Sequence, residues 1–114
     1  MLSERLIDHF QNPRNVGQLP PPAVTIAVSN PICGDELQIW VRFAKNNIVA
    51  EARYRVRGCT ASIAAGSALT ELLLQQPLHS ITVTTIEEAV GGLPPESKHA
   101  AVLCADAVRK LSAL

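Results

Sequence analysis

The chain has 114 residues, with ten Lys and Arg balanced by ten Asp and Glu. It therefore carries no net charge and announces no basic face, so nucleic acid is not an expected partner. Hydrophobic residues make up 47% but aromatics only 4%, so any core must be built from Ala, Val, Ile and Leu. No stretch approaches the roughly 20 apolar residues needed to span a bilayer, which argues against a membrane partner. The N-terminus, MLSERLIDHF, lacks the apolar centre of a signal peptide. A cytoplasmic protein of one domain, residues 1–114, is expected. Its three cysteines are an odd number for a disulfide framework and should be free, buried or metal-bound.

Residues 3–10, SERLIDHF, predict a short helix capped by Ser3, with Leu6, Ile7 and Phe10 on one side. Asn12-Pro13 ends it, and Gly17 to Pro22 form a proline-rich loop. Three strand signals follow. Ala23–Ser29 is apolar and β-branched. Glu36–Phe43 alternates, with Leu37, Ile39, Val41 and Phe43 on one face and Glu36, Gln38, Trp40 and Arg42 on the other. Ile48–Arg57 alternates too, placing Ala52, Tyr54 and Val56 inward and Arg53, Arg55 and Arg57 outward. Lys45-Asn46-Asn47 suits a hairpin turn, and a meander is the simplest connection.

The period changes at Gly58. Residues 60–76, rich in Ala and Leu, predict a helix that stops before Pro77. Residues 85–90 predict a short helix ending at Gly91-Gly92, and Pro94-Pro95 lead into a last helix from about Glu96 to Leu111. Strands first and helices second give an α+β fold: a small three-stranded antiparallel sheet with helices over one face.

Chemistry concentrates at the joints between these elements. Cys33-Gly34-Asp35 lies in the turn between the first two strands, where glycine lets two anionic donors point to one side. Cys59 stands where the third strand passes into the long helix, and a helix N-terminus favours the thiolate. His99 falls in the first turn of the last helix, and neutral imidazole is a common metal ligand. Each has an ordinary structural reading as well: small core residue, tight corner, solvated surface. His9 and His79 have no such setting. Cys104 shares the stripe of Ala100, Leu103, Ala107 and Leu111, so it packs in the core. It also stands about 140° around the helix from His99, poorly placed to share one ion with it.

These same residues carry a family pattern. Ile7-Asp8-His9-Phe10 with Asn12-Pro13-Arg14-Asn15-Val16-Gly17, Asn30-Pro31-Ile32-Cys33-Gly34-Asp35, Arg57-Gly58-Cys59-Thr60-Ala61-Ser62, and Leu93-Pro94-Pro95 with His99 and Asp106-Ala107 occur in the order of the IscU/NifU-like iron–sulfur cluster assembly scaffolds. The chain resembles that family along nearly its whole length. The resemblance implies the sheet-and-helix fold just described and a scaffold rather than an enzyme. Such a scaffold receives sulfur from a cysteine desulfurase, assembles a [2Fe–2S] cluster or holds iron, and passes it to apo iron–sulfur proteins. Residue by residue it implies Cys33, Asp35, Cys59 and His99 as ligands. The family's third cysteine, directly after its histidine, is replaced here by Ala100. Glu96 and Ser97 replace the last two residues of the family's Leu-Pro-Pro-Val-Lys segment, which argues against docking of an Hsp70-type chaperone.

Three readings of the site stand side by side. In a cluster scaffold, Asp35 would keep the cluster labile, because a hard carboxylate is a poor partner for soft reduced iron–sulfur centres. In a mononuclear module, two thiolates, one imidazole and one carboxylate would close a tetrahedral zinc site. In a sulfur-acceptor protein, Cys59 would take up sulfur as an exposed thiolate. A scaffold kept for partner binding alone is disfavoured by the survival of four ligand-type residues. For an enzyme, Cys59 and His99 could pair as nucleophile and base, but no third, orienting residue is visible.

Overall fold

The computed structural model describes residues 2–32 and 34–114; Cys33 lies outside the described residues. Its elements are α1 (Glu4–Gln11), β1 (Val24–Ser29), β2 (Glu36–Phe43), β3 (Val49–Arg57), α2 (Thr60–Gln75), α3 (Val83–Ala89) and α4 (His99–Ser112). The α+β class and the meander hold: the sheet has the order β1-β2-β3, antiparallel throughout. The β2–β3 turn is Lys45–Asn47, in which Asn46 and Asn47 adopt φ of 63° and 58°, a conformation asparagine tolerates better than most residues.

Leu37, Ile39, Val41, Ala52 and Tyr54 turn their side chains to the helical face and are buried. Helix α2 lies on β3, and α4 lies on β1 and β2; α1 packs outside α2, and α3 contacts both α2 and α4. With neighbours on several sides, α2 buries nearly its whole length from Ala61 to Leu73, as a helix apolar all round should. Its run Ala64-Ala65-Gly66-Ser67-Ala68 lets side chains of β3 approach the helix backbone: a Cβ on Gly66 would meet the Tyr54 ring at 2.6 Å.

Two expectations need correction. In α1 the buried residues are Leu6 and His9, while Ile7 and Phe10 are about 40% exposed. His9 is therefore not a solvated residue: its Nδ1 lies 2.7 Å from Ser67 Oγ, and that same oxygen accepts the Arg14 backbone N–H. The partner for His9 comes from α2, far along the chain. Trp40 keeps the face away from the helices that alternation assigns it, and is nevertheless buried. Finally, α4 begins at His99 rather than Glu96, because Pro94-Pro95 open a separate 3₁₀ turn over Pro95–Ser97.

The N-terminal loop has a structural task. Tyr54 N–H donates to Asn15 O and Gly17 N–H donates to Tyr54 O, each at 3.0 Å, so this segment pairs with the outer edge of β3. Asn15 reaches the required turn with φ 58° and its amide donates to Thr70 on α2.

Candidate metal centre

Strand register builds one end of the molecule into a site. Glu36 at the start of β2 pairs with Arg57 at the end of β3, so the residue before β2, Asp35, meets the residues after β3, Gly58 and Cys59. The β1–β2 turn is closed by Gly34 N–H to Asn30 O and Asn30 N–H to Asp35 O, with Gly34 at φ 78°, a conformation glycine adopts at no steric cost. Cys59 is the N-cap of α2. His99 opens α4, the helix that packs on β1 and β2 and so brings its start to the same end.

Three of the four expected residues converge. Cys59 Sγ lies 3.4 Å from Asp35 Oδ2 and 3.5 Å from His99 Nε2, and His99 Nε2 lies 3.3 Å from Asp35 Oδ2. A tetrahedral ion with bonds of about 2.0–2.3 Å to N, O and S sets its ligand atoms roughly 3.3–3.6 Å apart. The triangle therefore has the dimensions of one face of such a site, and its donors (thiolate, imidazole, carboxylate) are ligand types that zinc or iron accepts. Cys33, two residues before Asp35, is the fourth expected donor and lies outside the described residues.

The three differ in exposure. Cys59 is exposed and the His99 side chain is 29% accessible, whereas Asp35 is only 4% exposed. Burial alone would push the Asp35 carboxyl up, but hydrogen bonds from Ser62, the Cys59 thiol and the Cys59 backbone N–H, with His99 nearby, hold it below the ordinary carboxylate range. Cys104, by contrast, is fully buried and its thiol is pushed up to about 12 by burial. It is a core residue, as its helical stripe indicates.

The geometry does not suit a catalytic triad. A nucleophile–base–orienter set uses both imidazole nitrogens, one for each partner. Here the same Nε2 faces both Cys59 and Asp35, an arrangement that converges on one point.

Two residues of the site escape a reading by ligand type. Ser62 is 1% exposed and donates its hydroxyl to Asp35 Oδ2 at 2.5 Å. Gly58 gives Asp35 its room: a Cβ there would stand 2.6 Å from both Cγ and Oδ1 of the carboxylate. The one available signal was position. Ser62 sits three residues after the N-cap, where a side chain returns to the helix start, and Gly58 immediately precedes the cysteine.

Comparison with known proteins places the chain in a family. Residues 1–112 match the family model described as the NifU-like N terminal domain. The chain belongs to that family. The iron-sulfur cluster assembly scaffold protein IscU 1 of Archaeoglobus fulgidus is 38% identical over 113 residues, covering 96% of this chain and 73% of that protein. The scaffold protein IscU of Haemophilus influenzae is 34% identical over 113 residues, covering 94% of this chain and 89% of its own length. In fold, the chain is similar to the N-terminal NifU-like protein of Brucella abortus, with a TM-score of 0.64 at 19% identity over 97% of this chain and 79% of that one. Against the NifU-like pattern, the position after the histidine is Ala100, whose side chain is fully buried in the helical core.

Proposed function

We propose that this NifU-like chain is an iron–sulfur cluster assembly scaffold or carrier, with Asp35, Cys59 and His99, joined by Cys33, as the residues that hold its cargo. The observation that carries the proposal is the convergence of a thiol, an imidazole and a carboxylate on one accessible point at the end of the sheet. The kinship with proteins named as IscU scaffolds supports it. A cysteine desulfurase would supply sulfur to the exposed Cys59, and apo iron–sulfur proteins would receive the cargo. Asp35 would contribute a hard oxygen donor that favours release over retention. Partners would meet the site across Ile32, 95% exposed in the β1–β2 turn, and Val102, 48% exposed one turn along α4 from His99.

The dimensions of the triangle favour one further reading, a single ion. In a [2Fe–2S] cluster each iron takes two protein ligands, so among any three donors at least one pair must straddle the two irons. Here all three pairs are short enough to share one metal. This fits a mononuclear iron or zinc state, either as a step before cluster assembly or as the resident form.

Anaerobic reconstitution of the full chain with ferrous iron, cysteine and a desulfurase tests both. A scaffold should gain thiolate-to-iron absorption, bind about two irons per site and transfer them to an apo-ferredoxin. One tightly held zinc per chain and no cluster uptake would overturn the scaffold reading in favour of the mononuclear one.

A further inference from the structure

Two hydroxyls of α2 turn away from their own helix, Ser67 toward His9 and Ser62 toward Asp35. Thr70 on α2 donates to Ser67 O, and Ser112 on α4 donates to Val108 O, the usual return of a helical hydroxyl to a carbonyl of its own helix. The Ser62 hydroxyl instead leaves its helix and donates to Asp35 Oδ2 across 27 residues of sequence. It is almost wholly buried, and its other neighbour is Cys59 Sγ at 3.4 Å.

We propose that Ser62 is a positioning residue for the metal ligand Asp35: it fixes which carboxylate oxygen the site presents. This inference rests on the proposed metal-binding role of the site. An aspartate carboxylate turns through a broad, nearly two-fold torsion, so nothing intrinsic to Asp35 selects one oxygen. The Ser62 bond falls on Oδ2, the same oxygen that faces Cys59 and His99, while Oδ1 is directed against the open flank of Gly58. An oxygen has lone pairs enough to keep this hydrogen bond and bind a cation. Ser62 thus ties a ligand from the strand turn to the helix that carries the thiol, and the two donors are held in register before any metal arrives. Loss of a hydrogen bond that orients a metal ligand in this way typically costs about 10–100-fold in affinity.

Ser62 itself is not a fourth ligand. Its proton is engaged on Asp35, and a neutral hydroxyl competes poorly with the thiolate and imidazole beside it.

Cobalt(II), a spectroscopic stand-in for zinc or iron, provides the test on the full chain, with affinity read by chelator competition and coordination read by the visible ligand-field bands. Ser62→Ala should weaken binding about 10–100-fold and alter the bands. Ser62→Thr, which keeps the hydroxyl, should restore the wild-type spectrum and most of the affinity. In an Asp35→Ala background, Ser62→Ala should cost nothing further, since its effect runs through the carboxylate. An affinity within about two-fold of wild type for Ser62→Ala, with unchanged bands, would overturn the proposal. So would an equal loss in the Asp35→Ala background, which would mark a general role in holding α2. A wild-type chain that takes up no cobalt defeats the metal-site reading on which the inference rests, a separate outcome visible before any variant is made.

Discussion

Asp35 and Gly58 are in contact closer than any other residue at position 58 would permit. The space that a Cβ on Gly58 would need is filled by Cγ and Oδ1 of the Asp35 carboxylate, both 2.6 Å away. The backbone of Gly58 is not in the left-handed region, so the glycine is required for this approach and not for its own torsion.

Gly58→Ala should therefore injure the site more than the fold. Asp35 has a short side chain, held by Ser62, and it can yield only by leaving the position that faces Cys59 and His99. Position 58 is itself exposed, so stability should change by about 1 kcal/mol or less. Cobalt or zinc affinity should fall by about tenfold or more. A thermal melt beside a metal titration separates the two, and a variant that binds metal as wild type does would show that Asp35 can be displaced without loss.

Gly66→Ala should do the reverse, weakening the fold while sparing the site. Its Cβ would meet Tyr54 Cδ2 and Cε2 at 2.6 Å and Val56 Cγ2 at 3.2 Å. The ring cannot move aside easily, since Tyr54 is 2% exposed and its hydroxyl donates to Ile63 O at 2.9 Å. Alanine gains about 1 kcal/mol of helix propensity, but overpacking costs about 1–3 kcal/mol, so a net loss of up to about 2 kcal/mol is expected in urea unfolding.

How far the fold and site can be read from sequence follows from which partners are local. The strands and their turns were legible because alternation is a property of neighbouring residues: Leu37, Ile39 and Val41 turned inward as the period of two requires. The meeting of Asp35, Cys59 and His99 was legible because each stands at the end of an element, where register brings them together. His9 and Ser62 were misjudged or overlooked for the opposite reason. Their surroundings are made by distant segments: Ser67 for His9, and Asp35 for Ser62. A buried polar residue is explained by its partner, and the partner has no fixed spacing in the chain.

The docking of α1 should depend on pH through His9. Burial, with Arg14 nearby, lowers the His9 pKa below its ordinary value of 6.5, although Glu71 and Asp8 pull the other way. A lowered folded-state value means that the unfolded chain takes up the proton first. The stabilising contribution is therefore complete above pH 6.5 and is lost as pH falls below it, through the folded-state value. His9→Asn removes the titration while retaining a group able to bond Ser67. Its stability should vary less than wild type between about pH 7.5 and 5 in urea unfolding, and parallel curves for the two proteins would exclude His9 as the source.

Restoring a cysteine after His99 should not restore a ligand. Ala100 has no accessible surface, and α4 turns it into the same core as Leu103, Cys104 and Ala107. A thiol placed there by Ala100→Cys enters packed space, at a cost of about 1–3 kcal/mol where the core cannot widen. Like Cys104, whose thiol burial pushes up to about 12, it would remain protonated and shielded. In peptide mapping after brief alkylation of the metal-free native chain, Cys59 should be modified, while positions 100 and 104 should react only after unfolding. In cobalt titrations the variant should show no added thiolate-to-metal absorption. A stronger charge-transfer band, together with metal protection of the new cysteine, would instead mean that the start of α4 opens when the site is loaded. Such a result would make the alanine at this position a true loss to the site, whereas the buried geometry makes it a residue that the three converging donors do not use.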